Sequence, residues 1–345
     1  MTLFLDVKAV NKLVNKVGNK AFIKGLYNYI KSDFINWTTF DKSARTAAHS
    51  VNGVIELMPV ANDELFGFKY VNGHPQNPNM GLSTVMAFGA LSDVKTGYPK
   101  LFSELTLSTA FRTAVTSAMA AKALARKGAN KMGVIGCGSQ CEFQVIAFYI
   151  LNGINEINLF DIDDSAIDKV INNLRLYPAL KVIKCASAKE CVNGVDIITT
   201  ITADKTNATI LTPDMIQSGM HINGVGGDCP GKTEIHPDVL KIGKIFVEHE
   251  PQTRVEGDIQ QLSPDAEVHA LWEVIAELEI GRNDEEQITI FDSVGFALED
   301  LSILRYLYDL ATNLGIGSNI ELIPTLENPK DLFICAFENR AGNKP

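Results

Sequence analysis

The chain has 345 residues, 46% of them hydrophobic, enough for a substantial core and long enough to favour two domains over one. Acidic residues outnumber basic ones by 41 to 31, a formal charge of −10, and no basic stripe interleaves with aromatics, so nucleic acid is not an expected partner. No segment reaches the roughly 18 uninterrupted apolar residues of a membrane helix, and the N-terminal MTLFLDVKAV lacks a basic region ahead of a long apolar run; the reading is a soluble, cytoplasmic protein that meets no membrane.

Two helical stretches fill the chain up to about residue 35, and VIELMPV, ELFGFKYV and STVMAFGALSD then alternate as strands. The last runs into Asp93-Val94-Lys95-Thr96-Gly97, a loop suited to joining antiparallel strands. This half reads as α+β. An alanine-rich helix from about residue 108 to 127, closed by Arg126, Lys127 and Gly128, leads out of it. From about residue 131 the short β-branched runs MGVIG, INLF, DIITTIT, HINGV, KIFVE and ITIFDSV are separated by helical stretches, the βαβ rhythm of a buried parallel sheet. Phe143, Ile146, Ala147 and Ile150 give one helix an apolar face; Leu304, Leu307, Tyr308 and Ala311 repeat the spacing, with Gly315 as a stop. The α/β unit is therefore expected to end near residue 314, and the short tail to pack back on the first half.

Six cysteines without a C-x-x-C pair fit free thiols in a reducing compartment, and six singly scattered histidines give no metal-site spacing. No metal is expected.

Gly136-Cys137-Gly138 follows a strand and opens a helix, where backbone N–H groups can meet a pyrophosphate and bare glycines let it come close. Cys141 replaces the third glycine of G-x-G-x-x-G, and a bare G-x-G also serves as a tight strand-to-helix turn with no ligand. Asp161 adds weight. It ends the next strand, 25 residues after Gly136, where a carboxylate accepts hydrogen bonds from a ribose and repels a 2′-phosphate, favouring NAD over NADP.

A second glycine-rich stretch, NGVGGDCPGKTEIHPDVL at residues 223–240, reads as a loop with His236 and Pro237 starting a helix, yet it sets Asp228 at a strand's carboxyl end, where such sheets place ligands. With GGDCPGKTE at 226–234, EPQTRVEGDIQQL at 250–262, GCGSQCEFQ at 136–144 and the segment around Arg45 and Glu56, the chain resembles the ornithine cyclodeaminase/mu-crystallin family over nearly its whole length.

The resemblance implies a Rossmann-type doubly wound parallel sheet domain, residues 116–314, that binds NAD. It is inserted into an α+β substrate-binding and dimerisation domain, residues 1–115, completed by 315–345 and forming a homodimer. It further implies that Arg45, Lys69 and Arg112 grip an amino acid's carboxylate, and that Asp228 moves a proton at its amine, a use that partial burial would favour. Val294 matches a substrate contact, and Glu56 lies in the pocket segment. Thr84, Ser139, Gln140, Asp161, Thr202, Val225, Gly226, Gly227, Lys232 and Ser293 match cofactor contacts, with Gly136 and Gly138 shaping the turn. Cys137, Ser139 and Cys141 stand where the family commonly has other small residues; Arg254 and Glu256 are expected only to shape a loop.

The expected reaction is L-ornithine to L-proline and ammonia with NAD regenerated in each turnover. An amino-acid dehydrogenase, a cyclic ketimine reductase, a lysine cyclodeaminase and a non-catalytic nucleotide- or hormone-binding relative remain alternatives.

Overall fold

The protein, seen as a computed structural model, is described at residues 1–203 and 208–337. The described residues form two eight-stranded sheets. The first runs, in spatial order, Ser318–Ile320, Thr2–Leu5, Pro99–Glu104, Val85–Asp93, Leu65–Gly73, Gly53–Ala61 and Asp41–Lys42, with Thr46–Ser50 also pairing on Gly53–Ala61. All of its pairings are antiparallel except that of Thr2–Leu5 with Pro99–Glu104. The Asp93–Gly97 loop joins two antiparallel strands as expected. Strand alternation divides the sheet's faces: Val54, Met58 and Val60 are buried, whereas Ile55 and Leu57 on the same strand are exposed.

Helices Val7–Val17 and Asn19–Ile35 cover the buried face; Asp6 caps the first by accepting from the Ala9 N–H at 2.8 Å. Helix Ala297–Leu314 joins them. It packs on Asn19–Ile35 and on Leu65–Gly73, so closely that a Cβ on Gly67 would lie 2.7 Å from Leu301 Cδ1. The sequence groups this helix with the parallel sheet because it follows that sheet's strands, but its apolar face is buried against the first sheet. The tail returns to the same layer through Ser318–Ile320, which pairs with Thr2–Phe4 at the sheet edge; residues 338–345 of the tail lie outside the described ones.

The second sheet is wholly parallel, in the order Lys181–Lys184, Glu156–Phe160, Lys131–Ile135, Ile197–Thr200, His221–Gly224, Thr289–Asp292, Lys244–Val247, His269–Ala270. All six expected β-branched runs are strands here. Lys181–Lys184 and His269–Ala270 are additions too short and too polar to stand out. Met132 and Val134 pack into a core on one face, Ile135, Ile198 and Ile222 into a core on the other.

Helix Thr106–Leu124 lies between the sheets. Val115 and Met119 enter the first core while Ala114 and Ala118 enter the second, and the small alanines let helix Cys141–Asn152 approach closely. It ends at Leu124, three residues before the expected stop. Asp196 explains the early exit: its carboxylate binds Arg126 and accepts from the N–H groups of Asn130 and Lys131 at 2.9 and 3.0 Å, which draws the chain out of the helix and into the next strand. Strand order reverses beside Lys131–Ile135, which creates the crevice where open α/β sheets take ligands. Among the described residues no helix is long and apolar enough to cross a membrane.

Candidate active site

The carboxyl ends of the parallel strands face the first sheet and the bridging helix across a cavity of about 250 Å³. The first layer contributes Arg45, Glu56, Lys69 and Thr84, and the bridging helix contributes Arg112. Gly138, Ser139 and Gln140 enter from the glycine turn, Thr202 from the end of one strand, Val225, Gly226, Asp228 and Lys232 from the next, and Ser293 and Val294 from a third. Three of the expected site residues, Gly136, Asp161 and Gly227, are not in its wall.

Those three shape what is. Gly136 has φ 105°, and a Cβ there would lie 2.7 Å from the Ile201 carbonyl oxygen, so the turn demands glycine. Around Gly138 nothing lies within 4 Å of a would-be Cβ; the protein leaves that space open to a ligand. Cys137 and Cys141 are fully buried and point into the core, so their departure from other small residues leaves the ligand side of the turn unchanged. Asp161 stays at the turn: Oδ2 accepts from the Cys137 N–H at 2.6 Å and Oδ1 from the Asp163 N–H at 2.9 Å. A dinucleotide fits these groups. The first turn of helix Cys141–Asn152 offers N–H groups to a pyrophosphate, Asp161 offers a carboxylate to a ribose, and Gln140 Oε1 is a buried acceptor with no partner.

Behind the opposite wall lies a dense ionic cluster. Lys69 is 1% exposed and its Nζ meets both oxygens of Asp300, at 2.8 and 2.9 Å. Burial, and then the neighbouring Arg112 cation, push the Lys69 ammonium down to about 8. Arg112 donates from Nε to Asp300 at 3.0 Å and from Nη1 to Glu299 at 2.7 Å, while its Nη2 makes no hydrogen bond to the described residues. Arg45 is more fully engaged. It donates from Nη1 to Glu56 at 3.0 Å and from Nη2 to the Val294 and Gly295 carbonyls at 2.6 and 2.7 Å. Glu256 Oε2 lies 3.1 Å from Arg45 Nε, a charge contact without hydrogen-bond alignment. Burial, reinforced by Glu56 and Asp228 against the opposing Arg45, raises the Glu256 carboxyl to about 7.

Glu256 therefore does more than shape a loop. Arg254 does shape one: it pairs with Glu250 at 2.9 Å and donates to the carbonyls of Ser263 and Ala266 at 3.3 and 2.5 Å. Asp228 departs from the expected burial, since its side chain is 52% exposed and its Oδ1 accepts from Lys232 Nζ at 3.0 Å. Lys232, matched to cofactor contacts by resemblance, lines the cavity and holds Asp228 there.

The sequence reading missed the acids that fix the loops around Asp228. Glu234 Oε1 accepts from the Thr202 N–H at 2.8 Å and from the Thr202 hydroxyl, and Oε2 from the Gly226 N–H at 3.1 Å. Asp258 accepts from the N–H groups of Glu234 and Ile235, both at 2.8 Å; Asp292 accepts from those of Asp258 and Ile259 at 3.0 and 2.8 Å. Gly226 and Gly227 have no room for a side chain beside these carboxylates, because a Cβ would lie 2.1 Å from Glu234 and 2.8 Å from Asp258. Gly226 and Gly227 were the available signal: each marks where a buried acid crowds the backbone.

The ornithine cyclodeaminase/mu-crystallin family matches residues 7–314. Ornithine cyclodeaminases of Brucella suis and Agrobacterium fabrum are each 52% identical to the chain, covering 96% and 98% of it and 92% and 95% of their own lengths. An archaeal alanine dehydrogenase dimer with bound NAD superposes with a TM-score of 0.84 at 30% identity, over 93% of this chain and 99% of its own. A Δ1-pyrroline-2-carboxylate reductase from Thermococcus litoralis, in complex with NADH and L-proline, gives 0.84 at 28% identity over 92% of this chain and 100% of its own. The chain belongs to the ornithine cyclodeaminase/mu-crystallin family.

Proposed function

We propose that the protein converts L-ornithine to L-proline and ammonia, using and regenerating NAD in each turnover. The observation that carries this reading is one cavity that joins an open glycine turn to a cationic wall and the carboxylate of Asp228, in a chain 52% identical to ornithine cyclodeaminases over 96% of its length. The NAD-bound and NADH-bound relatives support the cofactor.

NAD, held at the open turn around Gly138 and by the Asp161 carboxylate, would supply the redox chemistry at the α-carbon. Lys69 and Arg112 hold the substrate carboxylate; Arg112 brings an Nη2 without a hydrogen bond to the described residues, and Arg45, tied to two carbonyls, is a fixed positive wall beside them. Asp228 takes a proton from the α-amine. Lys232 steadies one of its oxygens, and the other makes no hydrogen bond to the described residues. Glu56 gives the second nitrogen of the diamine a negative neighbour. With both ends held, the δ-amine attacks the α-imine carbon in a five-membered closure, a step that positioning can favour by effective molarities on the order of 10⁵ M or more. Ammonia then leaves from the α-carbon, recovering the proton from Asp228.

The protein is also proposed to act as a homodimer in the cytoplasm, with its substrate domain built from the first sheet and its NAD domain from the parallel sheet. The outer face of the first sheet supports the dimer: Ile55, Leu57, Phe66, Met86 and Phe88 are between 37% and 44% exposed on one face of three adjacent strands, an apolar face that a second copy would cover. The alanine dehydrogenase relative is itself a dimer.

Asp228→Asn keeps the shape but cannot accept a proton, so kcat should fall at least about a hundredfold while NAD affinity is retained; near-normal turnover would place proton transfer elsewhere. For Lys69, the charged form binds the carboxylate and dominates below about pH 8. KM for ornithine should therefore rise as pH increases through 8, and a KM flat from pH 7 to 9 would contradict that role. Phe88→Asp should shift the sedimenting species from dimer to monomer with secondary structure intact, whereas a monomeric wild type would refute the dimer.

A further inference from the structure

The ionic cluster behind the cationic wall holds more acid than its cations can balance. Lys69 comes from strand Leu65–Gly73 and Arg112 from helix Thr106–Leu124. Glu299 and Asp300 come from the first turn of helix Ala297–Leu314, and Glu248 follows strand Lys244–Val247. None of the five is more than 5% exposed. Asp300 is the counter-ion of both cations and also gains from the helix N-terminus. Glu299 reaches Arg112 through Oε2 alone, and Glu248 Oε1 accepts from the Ser293 hydroxyl at 2.6 Å and the Gly295 N–H at 3.2 Å. The remaining oxygens, Glu299 Oε1 and Glu248 Oε2, are buried without a hydrogen-bond partner.

With three acids ionised against two cations the cluster carries a charge of −1, and a substrate carboxylate would raise that to −2 in a site screened from water. Buried, uncompensated charge of this size does not persist; the group takes up a proton instead. One proton on the Glu299–Glu248 pair brings the cluster to neutrality, and a second makes it positive. Burial pushes both carboxyls above their ordinary range; at Glu299, Arg112 opposes this while Glu248 and Asp300 add to it.

We propose that Glu299 is a positioning residue that orients Arg112 while it holds a proton, so that the substrate carboxylate and a proton enter the subsite together. The proton comes from solvent, resides on the Glu299–Glu248 pair and leaves with the product. This rests on the reading that Lys69 and Arg112 receive the carboxylate.

The test uses the NAD⁺-loaded protein and n-pentanoate, a probe with the carboxylate and neither amine. Its affinity is measured from pH 6.5 to 9, and its proton uptake by calorimetry in buffers of different ionisation enthalpy. In the wild type, uptake at pH 9 should approach two protons, one regained by Lys69 and one by the acid pair. Glu299→Gln should lose about one proton and bind about tenfold more tightly than wild type at pH 9. Glu248→Gln should lose the same proton and carries the test if Glu299→Gln does not retain NAD⁺ affinity. Equal proton counts in the wild type and variants, or weaker binding by the Gln variants at pH 9, overturn the proposal. Unchanged affinity in Lys69→Gln and Arg112→Gln, or no pentanoate binding by the wild type, overturns instead the subsite on which it rests.

Discussion

The buried ion group of Lys69, Arg112 and Asp300 is the interaction on which the rest depends. It joins an inner strand of the first sheet, the bridging helix and the helix that follows the parallel sheet, so three distant parts of the chain meet at one carboxylate. Taking these charges out of water is costly, and removing one partner from such a group typically costs about 3–5 kcal/mol because the others stay buried and unpaired. The same arrangement fixes Arg112 Nε and Nη1 and leaves Nη2 without a hydrogen bond to the described residues, in a side chain that lines the cavity. On the proposed reading of the site, fold and carboxylate recognition draw on the same contacts.

Across the cavity, order comes from carboxylates that bind backbone. Glu234, Asp258 and Asp292 each accept two or more donors, and each holds the segment that carries the next: Asp292 fixes Asp258, Asp258 fixes Glu234, and Glu234 fixes Thr202 and Gly226. Three strand ends are locked together beneath the loop that bears Asp228. A half-exposed acid on a loop would otherwise wander; here its loop rests on a braced floor, and Lys232 at 3.0 Å sets the side chain. The open space at Gly138 and the packed surroundings of Gly226 and Gly227 show two different uses of glycine, one kept for a ligand and the other imposed by the protein.

Much of this was legible in the sequence, where periodicity carried it. The six β-branched runs, the glycine turn and Asp161 follow local rules of strand, turn and helix, and they lie where those rules place them. Thr2–Leu5, Lys181–Lys184, His269–Ala270 and Ser318–Ile320, none longer than four residues, do not stand out as strands in the sequence. The helix at 297–314 was legible as a helix, but which sheet it covers depends on tertiary packing, as its Leu301 contact with Gly67 illustrates. Glu234, Glu248, Asp258, Asp292 and Glu299 were missed for a related reason. A buried acid and a surface acid are written with the same letter, and only the glycines beside them and the apolar residues around Glu299 and Asp300 hint at the difference.

The central claim, that hydride leaves the α-carbon and the δ-nitrogen closes the ring, fixes which nitrogen is lost. Turnover of L-ornithine labelled with ¹⁵N at the α-position, followed by mass spectrometry of both products, tests it most directly. The account requires labelled ammonia and unlabelled proline, with no net accumulation of NADH. Proline that keeps the label, or NADH that accumulates without proline, would contradict it.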